Sequence, residues 1–98
     1  MYRIVYDKQV IKDIKTLKSV RLDEKAKKLI EVIKDNPFRN PPPYEALVGN
    51  LQGVYSRRIN IQHGLVYQVY NDPVELDGIK YDGTVKIIRM WTYYDGIR

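Results

Sequence analysis

The spacing of apolar residues changes once along this chain, and that change limits the fold more than any other feature. Up to Ile33, most apolar residues recur every three or four positions, as on the buried side of helices. A segment with four prolines, 36–50, follows. Beyond it, apolar and polar residues alternate, as in strands with one buried face. Helices followed by strands favour an α+β fold.

The first half predicts one strand and two helices. Alternation predicts a strand at Tyr2–Tyr6, and Asp7 is then expected to cap the first helix. The apolar positions of that helix are Val10, Ile11, Ile14 and Leu17. Asp23 is expected to cap the second helix, which ends at Asn36-Pro37. Its apolar stripe is Leu22, Ala26, Leu29, Ile30 and Ile33. A short connection makes the two helices an antiparallel hairpin.

The second half predicts a sheet. Strands are expected near 52–61, 64–71 and 85–93, with a turn at Gln62-His63-Gly64. The proline-rich segment should run as an ordered loop that delivers Glu45 to the start of the sheet. The predicted fold is therefore a four-stranded, mainly antiparallel sheet with the two-helix hairpin packed on one face. Its other face stays open for a site.

Size and composition set further limits. The 98 residues suit one domain, 1–98, and no run of about 18 apolar residues or signal peptide is visible, so a soluble, cytoplasmic protein without membrane contact is expected. With no cysteine and one histidine, neither a disulfide framework nor a metal site is expected, and no cofactor is implied. A net charge of +5 suits a polyanionic partner, although many basic domains bind none.

Two consecutive arginines in the predicted strand at 52–61 point to phosphate. Strand alternation places Arg57 with Ile59 and Ile61, which should enter the core, and leaves Arg58 on the open face. A guanidinium group can hold two phosphate oxygens at once. The alternative is an ordinary polar strand face with two solvated arginines.

Five stretches resemble the YoeB/Txe branch of the RelE-like bacterial toxins. They are Asn36-Pro37-Phe38, Tyr44–Leu47 with Asn50–Gly53, Tyr55–Ile59, His63 with Leu65–Tyr67, and Met90–Tyr94. The resemblance implies a RelE-like fold and the toxin of a type II toxin-antitoxin system. It also implies an endoribonuclease that cleaves mRNA in the ribosomal A site and is neutralised by a YefM-type antitoxin.

The resemblance also implies roles for particular residues. Attack of a 2′-hydroxyl on the RNA phosphodiester needs a base, an acid and positive charge at the phosphate. Glu45 matches the family's glutamate, the usual candidate base. Arg58 matches a family arginine, with Arg57 beside it as a second phosphate contact. Tyr94 matches the terminal tyrosine, which could stack on a base or line the phosphate.

Two positions depart from the family pattern. Gly64 stands where the family has an arginine expected to stabilise the phosphorane, and Tyr93 stands where it has a proposed general-acid histidine. Losing such an arginine can cost on the order of 3 kcal/mol, or about a hundredfold in rate. Arg89 could supply charge instead, because on a regular strand it shares a face with Tyr93. The resemblance therefore implies an attenuated endoribonuclease or, as the alternative, a disabled one that only binds antitoxin and ribosome.

Other questions stay open at this stage. A general nucleic-acid binder that uses the basic helices and tyrosines is the alternative from outside the family, and it would bind free RNA with a steep salt dependence. His63 is interpreted as a turn residue with hydrogen-bonding duty. The acidic connection 71–83 is roughly ten residues longer than in compact family members, and could be a mobile hairpin or reach a partner chain. A homodimer is left open.

Overall fold

The computed structural model describes residues 1–47, 53–61 and 63–90, and these form an α+β structure as predicted. The elements are β1 (Tyr2–Tyr6), α1 (Lys8–Ser19), α2 (Asp23–Asp35), β2 (Glu45–Ala46), β3 (Val54–Arg58), β4 (Gly64–Tyr70), β5 (Val74–Leu76), β6 (Ile79–Tyr81) and β7 (Gly83–Arg89). Neither helix within those ranges is long and apolar enough to cross a membrane.

The main sheet has five strands in the order β1-β7-β4-β3-β2. The pair β1–β7 is parallel and the other pairs are antiparallel. The prediction of four strands missed β2, a two-residue edge strand in which Glu45 pairs with Ser56. The loop after α2 therefore delivers Glu45 to the edge of the sheet. The strands β5 and β6 form a separate hairpin.

Helix α1 begins as predicted, but a different face of it is buried. Asp7 caps it by accepting a bond from the backbone N–H of Gln9 at 3.2 Å. Val10 and Leu17 are fully buried, whereas Ile11 and Ile14 are 58% and 38% exposed. The residue between them in the buried stripe is Asp13, which is 3% exposed. Its carboxylate accepts bonds from β7, and this pairing turns the isoleucines outward.

The carboxylate of Asp13 anchors α1 to the end of β7. It accepts bonds from the Arg89 guanidinium at 2.8 and 3.2 Å and from the backbone N–H of Met90 at 3.0 Å. A two-pronged arginine–carboxylate pair fixes orientation as well as distance. Hydrophobic spacing alone does not reveal such a partner, which explains why the predicted stripe was wrong at Ile11 and Ile14.

Helix α2 follows the prediction closely. Ala26, Leu29 and Ile33 are buried, and the helix ends at Asp35 with Asn36 as its C-cap. Asp23 is the first helical residue rather than the N-cap, which is Leu22, and Leu22 makes no side-chain capping bond. The predicted cap is thus wrong by one position. The negative charge of Asp23 still complements the helix dipole in the first turn.

The two faces of the sheet differ in what they carry. Leu65, Tyr67, Val69, Val85 and Ile87 join the helices in one core cluster, together with Ile59. The alternate residues, including Ser56, Arg58 and Gly64, therefore lie on the opposite face.

Contrary to the prediction, Ile61 does not enter the core. It is 88% exposed, because β3 ends at Arg58 and the chain bends over residues 59–61. The backbone N–H groups of Ile59 and Asn60 both donate to the His63 carbonyl, at 2.8 and 3.1 Å. The His63 backbone N–H donates to the Asn60 side chain at 2.7 Å, so the backbone of His63 is hydrogen-bonded where β3 leads into β4.

Candidate active site

A cavity of about 130 Å³ opens at the edge of the sheet, beside β2 and β3. Its lining residues are Pro42, Pro43, Tyr44, Glu45, Ser56 and Arg58. Two of the residues predicted for catalysis and phosphate binding, Glu45 and Arg58, therefore face one space. Strand alternation places Ser56 on the same face as Arg58, but no spacing in the sequence singles out Tyr44 or the two prolines as neighbours of this site.

The geometry of the sheet explains why Glu45 and Arg58 meet. Glu45 pairs with Ser56 across the β2–β3 ladder, and Arg58 lies two residues beyond Ser56 on the same face. Such diagonal neighbours lie about 7 to 8 Å apart, within reach of long side chains. Both side chains are exposed, whereas Ser56 between them is buried. A carboxylate and a guanidinium can therefore act on the same ligand.

Arg58 is oriented locally by the turn that follows it. One terminal nitrogen, Nη1, donates to the Ile61 carbonyl at 3.1 Å. The guanidinium has five N–H donors in a planar fork, a geometry that matches the oxygens of a phosphate group. The turn thus presents Arg58 toward the cavity.

Gly64 stands directly opposite Arg58 in the β3–β4 ladder. Paired residues on neighbouring antiparallel strands project on the same side of the sheet, so a side chain at position 64 would stand next to the Arg58 side chain. Gly64 lies in an extended strand, which any residue type can adopt. The arginine that the resemblance implies at position 64 would therefore place a second guanidinium beside that of Arg58. Gly64 lacks this group.

Arg57 has a different role from the predicted contact with phosphate. Its side chain is buried, with 1% of the residue exposed, on the helix-facing side of the sheet. Its Nε donates to the Tyr67 hydroxyl at 3.1 Å, and Nη2 donates to the carbonyls of Pro37 and Arg39 at 3.0 and 2.9 Å. Nη1 donates to the Pro42 carbonyl. Arg57 cannot reach RNA in this arrangement, and the prediction for it was wrong.

These hydrogen bonds show that Arg57 holds in place the loop that carries Glu45. The loop between α2 and β2 contains prolines, whose carbonyls accept bonds although their nitrogens cannot donate. The guanidinium collects three carbonyls of this loop, and the Tyr67 hydroxyl donates to one of them, that of Pro37, at 2.8 Å. The buried Arg57 guanidinium thus donates its hydrogen bonds to neutral carbonyl and hydroxyl oxygens, which offsets the cost of burying its charge. Alternation had grouped Arg57 with Ile59, and that signal pointed to burial.

An aromatic cluster packs around the same arginine. The guanidinium lies 5.1 Å from the ring centre of Tyr44 and 5.9 Å from that of Tyr67, within cation–π range. Phe38 and Tyr44 each make an edge-to-face contact with Tyr55, at 5.3 and 5.7 Å between ring centres. Tyr44 precedes Glu45, so this cluster fixes the end of the loop next to the cavity.

Burial raises the pKa of Tyr67 to about 12, although the positive charge of Arg57 and its hydrogen bond lower it in part. The folded protein therefore holds this proton more tightly than the unfolded chain, whose phenol titrates near its ordinary value of 10.0. The resulting stabilisation is complete below pH 10 and should be lost as the pH rises toward about 12.

Replacing Tyr67 with phenylalanine should remove that pH dependence. It should also lower the free energy of unfolding by about 1 to 2 kcal/mol at neutral pH, because the Arg57 Nε loses its acceptor. Urea unfolding of both proteins between pH 8 and 12 measures both effects. An equal decline of stability above pH 10 in the two proteins would contradict this assignment.

Arg89 does not join the cavity. It is not among the residues that line it, and its guanidinium is bound to Asp13 of α1. Arg89 was expected to supply the charge missing at Gly64 on the assumption that its strand is regular, but β7 is irregular. Tyr67 pairs with Ile87 and Val66 with Arg89, so Ile88 is an extra residue in the ladder. A bulge of this kind changes the side of the sheet on which Arg89 lies relative to the earlier residues of β7. Tyr93 and Tyr94 themselves lie outside the described residues.

Comparison with known proteins identifies the family. Residues 5–82 match the YoeB-like toxins of bacterial type II toxin-antitoxin systems. Toxin YoeB of Escherichia coli K12 is 41% identical over 58 residues, which cover 56% of this chain and 69% of that protein. Among solved structures, the YoeB/ParE toxin from Agrobacterium tumefaciens has a TM-score of 0.77 at 26% identity, covering 94% of this chain and 99% of that one.

Two further structures place the fold. The YoeB dimer from Staphylococcus aureus has a TM-score of 0.71 at 29% identity and covers 95% of this chain and 98% of its own. A chain of the E. coli DinJ-YafQ toxin-antitoxin complex, at 21% identity, shares the fold with a TM-score of 0.72 over 93% of this chain and 91% of that one. The RelE-like fold expected from the resemblance is confirmed. The chain belongs to the family of YoeB-like toxins of bacterial type II toxin-antitoxin systems.

Proposed function

We propose that this toxin is an endoribonuclease that cleaves mRNA in the A site of the ribosome, at a rate attenuated by Gly64 and Tyr93. The observation that carries the proposal is the shared cavity of Glu45 and Arg58, whose side chains come from adjacent strands. A base and a phosphate-binding cation within reach of one ligand suit attack on a phosphodiester. The ribosome and its mRNA are then the substrate complex.

In the proposed reaction, the Glu45 carboxylate accepts the proton of an RNA 2′-hydroxyl. The 2′-oxygen attacks the adjacent phosphorus, and the bond from phosphorus to the 5′-oxygen breaks. The products are a 2′,3′-cyclic phosphate and a 5′-hydroxyl, whose oxygen must gain a proton. Arg58 stabilises the charge that develops on the phosphorane oxygens. We assign the remaining contacts, proton donation by Tyr93 and stacking or phosphate binding by Tyr94, to the C-terminal segment.

The partner proposed for this toxin is a YefM-type antitoxin. Solved S. aureus structures of a YoeB-YefM complex have a TM-score of 0.69 at 29% identity to this chain. The net charge of +5 would attract an acidic antitoxin segment that folds on binding. Because ribosomes are the site of action, the proposed location is the cytoplasm. No complex on gel filtration with a cognate antitoxin would contradict this pairing.

Glu45→Gln should lower the cleavage rate by about a hundredfold or more, because the amide cannot accept the 2′-hydroxyl proton. The measurement is primer extension on mRNA in a purified translation reaction, made in the background of Gly64→Arg to raise the signal. Glu75→Gln is the matched control, since Glu75 is an exposed carboxylate on the separate hairpin. Equal rates for the two variants would show that Glu45 is not the base.

Gly64 and Tyr93 favour a second candidate, a toxin that binds antitoxin and ribosome but has lost cleavage. Gly64 removes the guanidinium next to Arg58, and tyrosine gives up its proton reluctantly near neutral pH. This candidate predicts no mRNA cuts from the chain as it stands, together with retention in a ribosome pellet. Cuts at a rate near that of the Gly64→Arg, Tyr93→His variant would exclude it.

A further inference from the structure

The hairpin formed by β5 and β6 has one apolar face and one charged face. Val74 pairs with Tyr81 and Leu76 with Ile79, while Glu75 pairs with Lys80 between them. Because paired residues share a face and neighbours alternate, the first two pairs lie together and the charged pair lies opposite. Leu76 and Ile79 are 40% and 46% exposed. The protomer thus leaves the apolar face partly uncovered at the tip of the hairpin.

The hairpin has a defined shape. Its turn contains Asp77 and Gly78 with φ of 51° and 78°, the left-handed values of a tight type I′ hairpin turn. At its base, the Tyr2 hydroxyl donates to the Asn71 side chain at 2.9 Å, and the N-terminal amine pairs with Asp82. An unpartnered apolar surface on a fixed arm is typical of a contact surface.

The charge around the hairpin is opposite to that of the chain. Its carboxylates are Asp72, Glu75, Asp77 and Asp82, against one lysine, Lys80. The segment 71–82 is therefore net negative in a protein of net charge +5. Such a surface repels RNA and suits a partner that is both apolar and cationic.

Helix α1 offers a surface with the matching properties. Ile11 and Ile14 are 58% and 38% exposed. Ile11 lies on a stripe with Lys8, Lys15 and Lys18, at helical spacings of three and four residues, and all three lysines are exposed. The single acidic residue of α1, Asp13, is buried against Arg89. The outer surface of α1 is thus apolar at its centre and positive at its rim.

We propose that the hairpin of one protomer binds α1 of a second copy of this chain, with Leu76 and Ile79 against Ile11 and Ile14. Asp77 at the hairpin tip then lies near the lysines of the partner's helix. In a two-fold dimer the contact occurs twice, so each protomer both gives a hairpin and receives one. The arrangement does not depend on RNA cleavage.

Disulfide trapping tests the contact directly, because the chain has no cysteine of its own. Leu76→Cys and Ile11→Cys proteins, one of them isotopically labelled, are mixed, oxidised and analysed by mass spectrometry. A mixed Leu76→Cys with Ile11→Cys disulfide is expected. The control is Lys28→Cys, an exposed position on α2. A mixed product no more abundant than that with Lys28→Cys, or a preference of Leu76→Cys for itself, would overturn the proposal.

Sedimentation measures how strongly the two protomers bind each other. Leu76→Asp and Ile11→Asp should each raise the dimer Kd by about tenfold or more, since each removes apolar burial from the contact. Ile61→Asp is the matched control, because Ile61 is 88% exposed and lies on neither surface. A chain that stays monomeric at all concentrations, or a dimer that both variants leave unchanged, would overturn the proposal.

Discussion

Arg57→Met should lower the free energy of unfolding by about 3 kcal/mol, among the largest effects expected of a single substitution in this protein. Methionine fills much of the space but donates no hydrogen bond. The carbonyls of Pro37, Arg39 and Pro42 then lose the guanidinium that collects them. Urea unfolding followed by circular dichroism measures the change. The loop that carries Glu45 should also lose its fixed position, so cleavage should fall with stability.

The neighbouring arginine is the control for this substitution. Arg58→Met should change stability by less than about 0.5 kcal/mol, because Arg58 is exposed on the opposite face. Its effect should fall on cleavage instead, by about a hundredfold or more, through lost stabilisation of the phosphorane. Similar stability losses for the two variants would contradict the division of roles between these adjacent residues.

Gly64→Arg should raise the rate of mRNA cleavage by about a hundredfold. The position faces Arg58 across the β3–β4 ladder, so the new guanidinium would stand beside it and share the phosphate. Two like charges directly opposite each other in a sheet repel, so stability should fall by up to about 1 kcal/mol. Primer extension for cleavage and urea unfolding for stability measure the two opposite effects.

Gly64→Lys separates charge from geometry at the same position. Lysine restores the positive charge but not the two-pronged contact that a guanidinium makes with phosphate, so it should give a smaller rise in rate. If Gly64→Lys and Gly64→Arg raise cleavage equally, charge alone accounts for the effect. If neither raises it, the position does not contribute to the reaction.

Much of the fold could be predicted because hydrophobic periodicity reports burial. The buried stripe of α2 and the strands β3, β4 and β7 follow from it. Hydrophobic periodicity did not predict the features that hydrogen bonds and ion pairs hold in place. Strand β2 has only two residues, too few for a period, and Ile11 turned outward because Asp13 took its place against Arg89. A partly buried salt bridge between residues 76 positions apart leaves no local pattern.

The site was predictable only in part for a related reason. Glu45 was placed by the resemblance and Arg58 by alternation, and the structure brings both to one cavity. Alternation also grouped Arg57 with core residues, yet its charge suggested phosphate. Whether Arg57 is buried or binds phosphate depends on hydrogen-bond acceptors elsewhere in the chain. The carbonyls that accept bonds from Arg57 lie 15 to 20 residues away. Sequence spacing does not show that a proline-rich loop would return to this strand.

The most direct test of the proposed function is a map of 5′ ends on one mRNA, by primer extension, with the Gly64→Arg, Tyr93→His variant. The reaction is run with and without ribosomes, and again with Glu45→Gln added to the variant. We predict cuts confined to codons in the A site, dependent on ribosomes and lost with Glu45→Gln. Equal cutting of ribosome-free RNA, or no cutting by a variant that still sediments with ribosomes, would contradict the account.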